Sequence, residues 1–284
     1  MSGIKPLMRY HGAKWRLAPW IISHFPPHDC YVEVFGGSGA VLIGKPVVAN
    51  EVFNDISSDI TTLFRVMRDP DMLGELIKVV NMTPYSREEF LNAYKHSDCD
   101  IETARRVLVR ANMGFGSGGA ARQITGFRHY TNRPGKSLPA HWKETADKIR
   151  VVAERISNAI IENRGALDVI KDHAREGVLF YLDPPYLRET RNVNRDSYEH
   201  EMSLEDHVEL LELIAELASQ DKGDFIVSGY DSELYNDFFA ENGWSKSTRQ
   251  VAASSQKGTS VRTECLWVSP SCQAGQLDMF SMVD

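Results

Sequence analysis

The chain has 284 residues, 42% of them hydrophobic and 25% charged, with a formal net charge of −7. That length holds one large domain, or a core domain carrying an insertion, and buries enough apolar surface to fold without covalent staples. The scattered Cys30, Cys99, Cys265 and Cys272 form no CxxC pair and have no closely spaced His partners, so they suit a reduced, cytosolic protein without metal.

The start, MSGIKPLMRY, lacks the apolar run of a secretory signal, and no stretch approaches the roughly 20 apolar residues that span a bilayer. From Cys30 to Phe35, CYVEVF reads as a short buried strand that stops at Gly36, Gly37 and Gly39. A second apolar run, Val47 to Val52, follows closely, as at the opening of a nucleotide-binding α/β sheet. Helical periodicity then runs from Ile60 to about Ile170, interrupted by a glycine-rich basic loop between Gly114 and Gly135. Strand patterns return at Val178–Leu182 and Asp224–Ser228, separated by an amphipathic helix over Leu204–Ser219. A last strand, Glu264–Val268, precedes Pro270 and a polar tail, and no coiled-coil pattern appears, so a monomer is expected.

Charge is segregated along this chain. Between Glu102 and Glu144 there is no acid, yet Arg105, Arg106, Arg110, Arg122, Arg128, Arg133, Lys136 and Lys143 contribute +8, which leaves −15 of the total −7 to the remainder. Such a block suits a polyanion despite the acidic average. A second acid-free stretch, Ser245 to Thr263, carries Lys246, Arg249, Lys257 and Arg262.

Glycines directly after a strand let the backbone turn sharply and approach a ligand. Asn54 and Asp55 follow the first glycine by about 20 residues, where an acid at the end of the next strand can bind a ribose, and Asp55 suits that role. Leu42 stands where a GxGxxG pattern needs its third glycine, so a nucleoside cofactor without a pyrophosphate fits better than a dinucleotide.

Asp183, Pro184, Pro185 and Tyr186 follow the apolar run VLFYL, which places them at the carboxyl end of a strand. An exocyclic amine on adenine is a poor nucleophile because its lone pair is delocalised into the ring. Acceptors on its two N–H groups direct that pair outward, and the Asp183 carboxylate with the Pro184 carbonyl would supply both. The prolines stiffen the turn, and Tyr186 offers an aromatic face to a base drawn out of a duplex.

With these residues in view, the chain resembles the Dam type of DNA adenine-N6 methyltransferases. The resemblance runs from about Leu7 to Pro270, at RYHGAKWRL, VEVFGGSGAV, FNDISSDI, FYLDPPY, SYEHEMSLEDHVEL and ECLWV. It implies a Rossmann-like α/β sheet with a mainly helical inserted target recognition domain. The catalytic domain would comprise 1–59 and 171–270, the recognition domain 60–170 and a flexible tail 271–284. It further implies that S-adenosylmethionine is the cofactor, that no metal is used, that Tyr10 and Lys14 contact the cofactor, that Phe35, Gly36, Gly37, Ser38 and Gly39 line its pocket, and that Asp55 binds its ribose. Asp183 would lie between cofactor and target amine. Apart from the resemblance, Tyr198, with Glu199 and His200 after it, is placed to close over the flipped base or else to serve as a structural tyrosine. The insertion does not clearly reproduce the hairpin of enzymes that read GATC. Arg122, Gln123, Arg128, Asn132 and Arg133 are the candidates for DNA contact within it.

In the tail, Gln276, Leu277, Asp278, Met279 and Phe280 resemble the short peptide by which bacterial replication proteins bind the sliding clamp. Methylation of RNA adenine or of a protein glutamine, and a non-catalytic DNA-binding protein of the same fold, are the competing readings. Asp rather than Asn at 183 counts against glutamine, and the intact motifs count against loss of catalysis.

Overall fold

The computed structural model describes residues 4–130, 135–190, 199–255 and 258–272, with backbone alone at 252–255 and 258–261. Seven strands form one sheet: β1 (Cys30–Glu33), β2 (Asn50–Asn54), β3 (Ala159–Glu162), β4 (Val178–Leu182), β5 (Asp224–Tyr230), β6 (Ser245–Ser255) and β7 (Gly258–Val268). Their spatial order is β3-β2-β1-β4-β5-β7-β6. The first five are parallel, and β7 is antiparallel to both β5 and β6. The chain thus winds outward from β1 through β2 to β3, then restarts at β4 on the other side of β1. The β1/β4 boundary is the switch point at which open α/β sheets form a crevice at their carboxyl ends.

The helices are α1 (Ala18–Ile22), α2 (Ala40–Gly44), α3 (Ser58–Arg68), α4 (Pro70–Met82), α5 (Arg87–Asn92), α6 (Asp100–Met113), α7 (Leu138–Lys143), α8 (Thr145–Arg155), α9 (Ala166–His173), α10 (Leu204–Ser219) and α11 (Glu233–Glu241). Alternation along the strands feeds two cores. One face, with Tyr31, Phe53, Leu179, Tyr181, Ile226 and Leu266, packs against apolar residues of α3, α4, α6 and α8. Phe64 of α3 stacks on Phe53 of β2, with ring centroids 3.9 Å apart. The other face, with Val32, Val52, Phe180, Phe225, Val227 and Trp267, packs against α9, α10 and α11. Local chemistry sets the helix ends. Ser203 and Asp206 form a capping box on α10, and Asp69 caps α4 ahead of Pro70.

Several expected elements stand as read: β4 and α10 have the expected bounds, while β1 and β2 shift by two or three residues. The expectation that helical periodicity resumes after the basic loop and runs to about Ile170 is corrected. Residues 159–162 form the edge strand β3, paired with β2, and α9 packs on the sheet. The four-residue strand AIIE is too short to show a period of two, and only its pairing reveals it. The tail also begins later than residue 271, since Cys272 is buried with its Sγ near the Phe225 carbonyl. No helix among the described residues is long and apolar enough to cross a membrane.

Candidate active site

The loop after β1 and the loop after β4 share one cleft at the switch point, about 770 Å³ to its open mouth. It is lined by Tyr10, Lys14, Phe35, Gly36, Gly37, Ser38, Asp55 and Asp183, together with Glu33, Tyr181, Glu199 and His200. Gly39 is not at the lining. It adopts φ +64 as the residue before α2, and a Cβ there would lie 2.9 Å from Phe64, so its role is to turn the chain.

Asp55 ties the glycine loop after β1 to the loop after β2. Its Oδ2 accepts from the Gly37 N–H at 2.7 Å and its Oδ1 from the Ser57 N–H at 2.8 Å. Burial raises its pKa, opposed by those two hydrogen bonds. Gly37 has φ +50, and a Cβ there would lie 2.7 Å from the Tyr10 ring, so the first segment of the chain closes directly on bare backbone. The neighbouring Asn54 has a structural role, donating to the Val34 and Arg164 carbonyls.

Asp183 is held from two sides. Lys14 Nζ lies 2.8 Å from its Oδ2, and Ser228 Oγ on β5 donates to its Oδ1 at 2.9 Å. The Tyr181 and Ser228 hydroxyls are 3.0 Å apart, so a Tyr181 proton donated to Ser228 completes a relay directed at the carboxylate. Tyr186 is buried, its hydroxyl donates to Glu264 on β7, its ring meets Tyr230 edge to face, and Lys14 stands 4.8 Å above its centroid. Burial raises the Glu264 pKa, with Lys14 opposing. The open aromatic face expected of Tyr186 is therefore covered here.

Glu33, Tyr181, Ser228 and Glu264 are residues of the site that went unread in the sequence. The signal for Glu33 was present as a carboxylate inside an apolar strand. Its Oε2 accepts from the Tyr31 hydroxyl and the Leu42 N–H, and burial pushes its pKa up to about 8. Ser228 and Glu264 are meaningful only once β5 and β7 are known to flank β4.

The basic block is largely neutralised by acids outside it. Arg105 pairs with Glu89 and Glu102, Arg106 with Glu102, Arg110 and Arg122 with Asp59, and Lys136 with Glu144. Arg110 is almost fully buried. Arg128 is also buried, donating to the Asn112 carbonyl and the Tyr130 hydroxyl. The Gln123 N–H donates to the Gly118 carbonyl. Asn132, Arg133, Tyr198 and the segment Gln276–Phe280 lie outside the described residues.

Residues 10–253 match the family of D12 class N6 adenine-specific DNA methyltransferases. The chain belongs to that family. It is 23% identical over 246 residues to a DNA adenine methylase of Serratia marcescens, covering 84% of this chain and 88% of that protein. Similarity to the DNA adenine methylases of Salmonella typhi (23%) and Escherichia coli K12 (22%) covers 84% of this chain and 85% of each relative. Among solved structures, a precorrin 8w decarboxylase from Methanobacterium thermoautotrophicum aligns at a TM-score of 0.34 and 11% identity over 89% of both chains, too distant to bear on fold or function. This family member is a DNA adenine methyltransferase, and its sheet is the Rossmann-like scaffold expected of one.

Proposed function

We propose that the enzyme methylates N6 of an adenine flipped out of a specific duplex sequence, with S-adenosylmethionine as donor bound in the switch-point cleft. The observation that carries this reading is the convergence of the glycine loop, Asp55 and Asp183 on that one cleft. Its residues fit the cofactor: Asp55 retains acceptor capacity for ribose hydroxyls beyond its two backbone bonds, and glycine at 36 and 37, where a Cβ would strike the Phe53 and Tyr10 rings, lets the loop pack tightly as one wall of the cleft. Tyr10, Phe35 and Ser38 complete the walls, and Lys14 sets the Asp183 carboxylate.

Bound S-adenosylmethionine supplies a methyl already activated on a sulfonium, so the protein's task is alignment. Asp183 accepts one N–H of the target amine and the Pro184 carbonyl accepts the other, while Pro185 stiffens the turn. Tyr186 anchors that turn to β7 through Glu264, and stacking of a base on its ring requires Lys14 to move off its face. Glu199 and His200 line the cleft mouth, where Tyr198 would join them over the base.

The helical part of 60–170 serves as the recognition domain in this reading. Ala121 reaches the cleft wall, and the following loop presents Ile124 at 89% exposure, an apolar side chain suited to a displaced base pair. Arg122, Gln123, Arg128, Asn132 and Arg133 would contact DNA there, the arginines by exchanging internal partners for phosphates or base edges. Gln276–Phe280 would tether the enzyme to the sliding clamp, and loss of clamp capture on deletion of that segment checks it.

The deciding experiment is transfer of labelled methyl from S-adenosylmethionine to duplex DNA and duplex RNA, with mapping of the modified base. N6-methyladenine in one DNA sequence is the expected product. Transfer to RNA alone would overturn the substrate.

A further inference from the structure

β5 ends at Tyr230, opposite Glu264 of β7. The β6–β7 pairing continues for six further residue pairs, from Gln250↔Thr263 to Ser255↔Gly258. At about 3.4 Å per residue, this two-stranded ribbon projects roughly 20 Å past the carboxyl edge of the sheet, the edge at which Asp183 stands. A ribbon without a third strand gains little stability from itself, so its length asks for a partner.

Its charge and facing identify that partner. The stretch Ser245–Thr263 that contains most of the ribbon has no acid. Cross-strand partners share a face, and alternation puts Arg249, Val251, Arg262 and Glu264 on the same one. Glu264 on that face reaches Lys14, and Val251 packs onto the core that underlies the site. Arg249 is exposed and makes no ion pair among the described residues. Arg262 is paired with no acid among the described residues: it donates to the Tyr230 hydroxyl at 2.7 Å and lies over that ring, and its buried Nε has no hydrogen-bond partner among those residues. These cations contrast with the arginines of the helical segment, most of which are already paired with acids.

We propose that the Arg249/Arg262 face of the β6–β7 ribbon is a second DNA-binding surface, gripping duplex phosphates beside the target base. Strand order places the ribbon at the opposite end of the sheet from β3 and its helices, with the β1/β4 cleft between. A duplex over the cleft would therefore be held on both flanks. The proposal rests on the reading of duplex DNA as substrate.

The test measures the affinity of the full chain for a duplex oligonucleotide against salt concentration, for the wild type, Arg249→Gln, Arg249→Glu and Lys222→Gln. Lys222 is exposed just ahead of β5, at the amino edge of the sheet, and serves as the charge control. Each lost phosphate contact should lower the magnitude of the slope of log K on log salt by about 0.9. The expected result is that decrease in Arg249→Gln and at least tenfold weaker binding in Arg249→Glu at low salt. Lys222→Gln should match the wild type, and binding of S-adenosylmethionine and the melting temperature should be unchanged in all. An unchanged slope in Arg249→Gln, or an equal change in Lys222→Gln, overturns the ribbon as a contact surface. Wild-type methylation of DNA in the same preparation would leave the substrate intact in that event, whereas a wild type that neither binds nor methylates duplex DNA removes both.

Discussion

Lys14 Nζ lies 2.8 Å from Asp183 Oδ2, joining the first segment of the chain to the carboxyl end of β4. The lysine side chain is 6% exposed and the aspartate 17%, so water screens the pair weakly. Asp183→Ala should abolish methyl transfer, by at least about 100-fold in kcat, because it removes the acceptor proposed for the target amine. Circular dichroism should show the fold retained, and substantial activity in the purified variant would sink the assignment.

Ser228→Ala removes the hydroxyl donated to Asp183 Oδ1 and leaves the carboxylate in place. One hydrogen bond to a charged group is worth about 1.5 kcal/mol, so kcat should fall roughly tenfold. Cofactor affinity should hardly change. Steady-state kinetics separate the two, and a loss confined to KM would assign Ser228 to binding instead.

Asp55→Asn replaces an oxygen by an amide that cannot accept from a backbone N–H, so either Gly37 or Ser57 loses its partner. Affinity for S-adenosylmethionine should drop about 10- to 100-fold, consistent with roughly 1–3 kcal/mol for an unsatisfied buried donor. Calorimetric titration reads this directly. Unaltered affinity would place the cofactor elsewhere.

Glu33 has its pKa raised from 4.5 to about 8 by burial. The folded chain therefore holds a proton that the unfolded chain releases across that window, and stability falls as pH rises from about 4.5 to 8. The contribution is on the order of a few kcal/mol. Glu33→Gln keeps one oxygen to accept from both Tyr31 and Leu42, so it should flatten that dependence and melt higher than the wild type at pH 9. Parallel pH–denaturation curves for the two proteins would contradict a protonated Glu33.

Arg110 donates to Asp59, to the Ala93 carbonyl and to the Gly119 carbonyl from a buried position. Arg110→Met should destabilise the protein by about 3–5 kcal/mol, as breaking a buried pair does. The salt dependence of DNA binding should persist below the lowered melting temperature. A reduced salt slope with unchanged stability would make Arg110 a DNA contact after all.

Much of the catalytic half was legible because its chemistry is local. The apolar run before Asp183 and the glycines after Cys30–Phe35 are contiguous signals, and short buried strands followed by polar turns can be read without knowing their neighbours. The sequence by itself determined the α/β class, the carboxyl-end position of DPPY and Asp55 as partner of the glycine loop. Tertiary structure alone decided that β3 belongs to the sheet, that Asp59 and Glu89 neutralise the basic block from outside it, and that Ser228 and Glu264 flank Asp183 and Tyr186. The reason is physical: strand pairing and ion pairing depend on distance in space, so an acid-free run of chain is not an acid-free surface, and a serine 45 residues away can sit one strand from Asp183.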